Sequence, residues 1–99
     1  MSLVILKYDV EPGINEVLIP GLVAVTVFDY QRHSVGPFDT PTFRVWALCD
    51  TTLPASIERF RVVGTGEEIE DRSEDILSVH TKVVHGAHMP LVLHLLHLR

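Results

Sequence analysis

The sequence predicts an all-β domain, a small antiparallel sandwich or partly open barrel of about seven strands. Three observations predict it. Short apolar runs end repeatedly at Gly, Pro, Asn or Asp. Side chains within those runs alternate with period two, as an extended backbone requires. Almost nowhere do apolar residues recur at the spacing of an amphipathic helix.

The first strand covers residues 3–10 and closes at Glu11-Pro12-Gly13, a strong turn signal. A short second strand, 16–19, closes at Pro20-Gly21, and the two are expected to form an N-terminal hairpin. Residues 22–30 form the third. Val23, Val25 and Val27 fall on one face, and Ala24, Thr26 and Phe28 on the other. Both faces are apolar, which predicts a central strand or one whose second face meets another subunit. Residues 31–42 hold Gly36, Pro37 and Pro41 and read as an exposed loop.

Residues 43–50 are the fourth strand, with Phe43, Val45, Ala47 and Cys49 on one face and Arg44, Trp46, Leu48 and Asp50 on the other. A connection broken by Pro54 follows, whose residues 55–58 allow one helical turn. The fifth strand, 59–63, stops at Gly64-Thr65-Gly66. Residues 67–75 carry six acids in nine positions and are expected as a solvated loop or short helical turn. In the sixth strand, 76–84, Leu77, Val79, Thr81 and Val83 oppose Ile76, Ser78, His80, Lys82 and Val84. A turn at 85–90 leads into the last strand, 91–98. A strand this apolar belongs inside a sheet rather than at its edge.

The 99 residues suffice for one domain, residues 1–99, with no internal repeat or linker. A hydrophobic fraction of 46% is high for so small a domain, and an oligomer interface is the natural place for the surplus. The formal charge of −5 and the scattered basic residues argue against nucleic-acid binding. The longest apolar run falls short of the roughly 20 residues that span a bilayer, and the first residues lack the basic region and cleavage site of a signal peptide. A single cysteine, Cys49, fits a reducing compartment.

Several segments stand in a familiar order. Lys7-Tyr8 lies in the first strand, and a strand ending at Pro20 follows. Then come Trp46-Ala47-Leu48-Cys49-Asp50, the run from Arg59 to Gly66 (Arg-Phe-Arg-Val-Val-Gly-Thr-Gly), and His85-Gly86 with Leu91-Val92-Leu93-His94. In these motifs the chain resembles a family of short uncharacterised proteins of tailed bacteriophages and actinobacterial genomes. The loop at 31–42 departs from that pattern by its length. The resemblance implies a compact β fold and a phage or prophage origin. It implies no activity, so no family site residues carry over.

No catalytic or metal-binding motif stands out. Gly64-Thr65-Gly66 lacks the helix and the Lys or third Gly of a phosphate loop, and Glu67-Glu68 would repel phosphate, so it reads as a turn with one Gly at positive φ. His80, His85, His88, His94 and His97 lie within eighteen residues. Zinc needs three or four converging ligands, yet His94 and His97 point to opposite faces of a strand. His80, His85 and His88 offer at most half a site. The expectation is no metal and no cofactor, with His94 partly buried on one hydrogen bond and the other histidines exposed. Cys49, alternating with Val45 and Ala47, reads as a small core residue rather than a nucleophile. Asp29, Asp39 and Asp50 suggest no partner for it.

The candidate binding residues are Arg44, Trp46, Leu48, Arg59, Arg61 and His94. Trp and Arg are over-represented at interface hot spots, and Trp46 faces either a second layer or a partner. The expected function is a non-enzymatic, oligomeric interaction protein of the host cytoplasm, partnered by itself and by a host or virion protein. One alternative is a virion component such as a capsid decoration protein. Another is a binder that sequesters a nucleotide or other small molecule, in a pocket between subunits lined by Arg44, Trp46, Arg59, Arg61 or the histidines.

Overall fold

A computed structural model of the chain describes residues 1–35, 38–85 and 90–99, with side chains described outside 31–41 and 85–90. Seven strands form two antiparallel sheets: β1 (Leu3–Val10), β2 (Gly13–Pro20), β3 (Leu22–Val35), β4 (Phe38–Asp50), β5 (Ala55–Gly64), β6 (Ile76–His85) and β7 (Pro90–Leu98). One sheet has the order β1-β4-β3, the other β2-β5-β7-β6. Neither closes, so the architecture is a sandwich rather than a barrel. Among the described residues the only helical element is a 3-10 turn at Ser73–Asp75.

The core lies between the sheets. From β4 come Phe43, Val45, Ala47 and Cys49, and from β1 Val10; Phe28 of β3 stacks beside Phe43 with ring centroids 6.0 Å apart. The opposite sheet contributes Ile19, Phe60, Val62, Leu93 and Leu95. The alternation read in 43–50 is thus the alternation observed, because each sheet presents one face to the other. The C-terminal strand β7 lies between β5 and β6, as its apolar character demands.

Four expectations are corrected. First, β1 and β2 do not form a hairpin. β1 pairs with β4 and β2 with β5, so Pro12-Gly13 carries the chain from one sheet to the other. The turn signal marked a reversal without saying which sheet follows it. Second, β3 is an edge strand and β4 the central one. Register shifts between Leu22 and Ala24 and between Val25 and Val27 break strict alternation. Leu22, Val25 and Phe28 therefore pack inward, at spacing three rather than two. Third, the region 31–42 is mostly not a loop. The β3–β4 ladder continues out to Val35 and Phe38, with Pro41 opposite Arg32; Gly36 and Pro37 lie outside the described residues. Fourth, residues 55–58 continue β5 rather than forming a helical turn.

The acidic segment holds the short helical turn expected of it, at Ser73–Asp75, and departs from expectation at one residue. Glu67, Glu68 and Glu70 are exposed, as expected. Asp71 instead accepts a hydrogen bond from Arg61 Nε at 2.6 Å, with both side chains mostly buried. This draws the segment across the outer face of the four-stranded sheet, where Val63 and Leu96 are covered although they point away from the core.

Candidate functional site

The six candidate binding residues divide between opposite sides of the sandwich. Arg44, Trp46 and Leu48 lie on the outer face of the three-stranded sheet; Arg59, Arg61 and His94 lie on the outer face of the other. One chain therefore cannot gather them into a single pocket.

On the three-stranded sheet, the register sets Leu48 beside Ile5 and Ala24, Trp46 beside Lys7 and Val27, and Arg44 beside Asp9 and Asp29. Ile5 is 61% exposed and Val27 48%. Nothing among the described residues covers this face. The Lys7 ammonium stands 5.9 Å from the Trp46 ring centroid, a cation–π distance. Arg44 Nε donates to Asp9 Oδ1 at 3.2 Å. Asp29 receives the backbone N–H of Tyr30 and then the Lys82 ammonium at 3.2 Å, which together hold its carboxyl below the ordinary value. The result is an apolar centre with charges of both signs along one margin.

On the four-stranded sheet, Arg59 faces Glu16 at 4.0 Å and is exposed. Arg61 is tied to Asp71, whose hydrogen bond, together with the charges of Asp71, Glu70 and Glu67, raises its pKa. His94 makes two hydrogen bonds rather than the expected one, Nε2 with the Thr65 hydroxyl at 2.8 Å and Nδ1 with that of Thr81 at 2.9 Å. Both ring nitrogens are thus occupied, which suits a structural role. Gly66 takes φ 84° in the turn, as expected for that Gly-Thr-Gly run.

His97 points to the other face of β7, as its spacing from His94 requires, but it is not exposed. Its Nε2 donates to Glu58 Oε2 at 2.9 Å, with the side chains 14% and 21% exposed. Its ring stacks on Phe60 with centroids 4.9 Å apart. His97 and Glu58 line a cleft between the sheets, together with Ser78 and the half-buried His80 of β6. No three His, Cys, Asp or Glu side chains among the described residues converge on a metal position. His88 lies outside the described residues, as do the side chains of His85 and Asp39. Cys49 is fully buried, and desolvation pushes its thiol pKa up, the opposite of an activated nucleophile.

The sequence reading missed the Glu58–His97 pair. Glu58 fell in a stretch assigned to a connection, and only the β5–β7 register, Phe60 opposite His97, reveals the proximity. Neither residue carries a local signal.

A family profile for a domain of unknown function, DUF7352, matches residues 1–99. The chain belongs to the DUF7352 family. No curated protein and no solved structure matches it. The expected resemblance to an uncharacterised family holds at that level. The DUF7352 match spans all seven strands, so the two outer faces and the cleft between the sheets belong to the family domain.

Proposed function

We propose that this DUF7352 chain is a non-enzymatic interaction protein that works as a homodimer, joined through the outer face of the three-stranded sheet. The observation that supports this reading is the uncovered apolar surface around Trp46, Leu48, Ile5 and Val27. On the four-stranded sheet the chain's own acidic segment covers the central outer residues Val63 and Leu96 and leaves Leu18, Ile57 and Val79 exposed at the flanks, while the three-stranded sheet has no such cover over its centre among the described residues. Trp46 sits in the middle, the residue type most enriched at interface centres.

The occupant is a second copy. Lys7 and Arg44 share this face with Asp9 and Asp29. A two-fold rotation brings a patch onto itself, and a patch carrying both signs can then place each cation against the partner's carboxylates. The likeness to short proteins of tailed phages and actinobacterial genomes supports a phage or prophage origin. A host-cytoplasmic role, with a further host or virion protein as partner, accords with that origin and with an acidic chain unsuited to nucleic acid.

Light scattering at micromolar concentration tests the reading. The wild type is expected at twice the 11.1 kDa chain mass, and Leu48→Glu, which puts a charge in the apolar centre, at one chain mass. A monomeric wild type would remove the basis of the proposal.

A further inference from the structure

The two sheets leave one side of the sandwich open, where edge strands β3 and β6 approach without pairing. A cleft of about 560 Å³ lies there, within the range of small-molecule sites. Residues 22–25 of β3 and Leu77 of β6 supply an apolar lining, and Ser78, His80, His97 and Glu58 supply the polar groups. Both bordering strands break register at the cleft, β3 between Leu22 and Ala24 and again before Val27, β6 between Ile76 and Ser78. Bulges re-aim side chains and recur beside functional sites.

His97 is the best-ordered polar group in this cleft. The Phe60 ring holds its plane and the Glu58 carboxylate holds its Nε2. An ionised carboxylate only accepts hydrogen bonds, so Nε2 carries the proton in the neutral ring. Nδ1 is then left with its lone pair, and no group of the chain among the described residues donates to it. The Ser78 hydroxyl and the His80 ring also have no partner there. The tautomer is therefore fixed by a mostly buried neighbour, and the cleft offers a preset acceptor beside the apolar side chains of β3 and Leu77.

We infer that the β3–β6 cleft binds a small uncharged molecule with an apolar body and one N–H or O–H group, which donates to His97 Nδ1. An anion does not fit. Glu58 sets a carboxylate in the cleft, and the chain as a whole carries −5. This site lies at the β3–β6 edge, shares only Ala24 with the outer face of the three-stranded sheet described above, and does not depend on self-association.

Indole and 1-methylindole are the probes, differing by the N–H. Titration followed by amide chemical shifts should move signals of residues 22–25, 77–80 and 97 with indole. Affinity for 1-methylindole should be about fivefold weaker, the effect of one hydrogen bond. His97→Phe keeps a ring on Phe60 and should equalise the two probes. Glu58→Gln, whose amide can donate to Nε2 as well as accept from it, should narrow the difference, and it tests the proposal should His97→Phe not fold. Shifts elsewhere, no binding up to the solubility of indole, or equal affinity of the two probes for the wild type would overturn the assignment.

Discussion

Asp50 closes over Gly21. Its N–H donates to the Gly21 carbonyl at 2.8 Å, and its own carbonyl oxygen occupies the space where a side chain on residue 21 would begin. Gly21 also holds φ 46°, a left-handed conformation that costs other residues about 1 kcal/mol or more. This contact joins the β2–β3 turn to the end of β4 and so clamps the two sheets together at one corner.

Gly21→Ala should therefore lower stability by about 2–4 kcal/mol and the melting temperature by roughly 10 °C or more. Gly66 supplies the control. Its φ is 84° but nothing stands within 4 Å of an added Cβ, so Gly66→Ala should cost only about 1 kcal/mol. Thermal unfolding of the two variants separates steric overlap from backbone preference; equal losses would contradict the Asp50 contact.

Among the described residues Asp50 is the one buried residue with a charged side chain. It accepts from the Thr52 hydroxyl at 2.6 Å, the Thr52 N–H at 3.0 Å and the Ser2 N–H at 3.3 Å, with Thr52 as the main cause of its lowered pKa. A carboxyl whose pKa is depressed by folding stabilises fully above its unfolded value of 3.8 and loses that contribution as pH falls through the folded value. Asp29 acts in the same direction, through Tyr30 first and Lys82 next. Urea midpoints should hold near neutral pH and fall below pH 3.8. Asp50→Asn should be less stable at pH 7 and show a shallower acid decline.

The Arg61–Asp71 pair should govern the cover over Val63 and Leu96. Asp71→Asn weakens a charge-assisted hydrogen bond and should cost about 1–2 kcal/mol. Hydrogen exchange should speed up through residues 65–75 while the amides of β4 keep their protection. Uniform acceleration across both sheets would show that the segment is not held as a separate unit.

How far the sequence speaks for itself follows from range. Period-two patterning identified β4, and with it the inward set Phe43, Val45, Ala47 and Cys49, because alternation is a local property. The same reasoning misjudged β3, where the two register shifts replace alternation with Leu22, Val25 and Phe28. Bulges leave no mark in composition. Pairing partners were equally hidden: Pro12-Gly13 signalled a turn but not that the chain changes sheets. Arg44, Trp46 and Leu48 were read onto one face, and they share it. Their separation from Arg59, Arg61 and His94 by the whole thickness of the sandwich depends on topology. The Glu58–His97 pair, 39 residues apart, depends on long-range register alone.

Cys49 offers a test of the core. With its thiol fully buried and its pKa raised by desolvation, it should resist maleimide at pH 7 in the folded protein. Labelling should proceed at the rate of unfolding, and Gly21→Ala should accelerate it. Rapid labelling of the native wild type would place Cys49 outside the core.

Self-association through the three-stranded sheet is the central claim, and the chain's single tryptophan lies in the proposed interface. Trp46 emission, followed across a dilution series from high micromolar to nanomolar concentration, reads that face directly. The account predicts a blue-shifted, acrylamide-protected spectrum at high concentration that moves to the red on dilution, with Leu48→Glu red-shifted throughout. A spectrum that does not change with concentration and coincides with that of Leu48→Glu would contradict it.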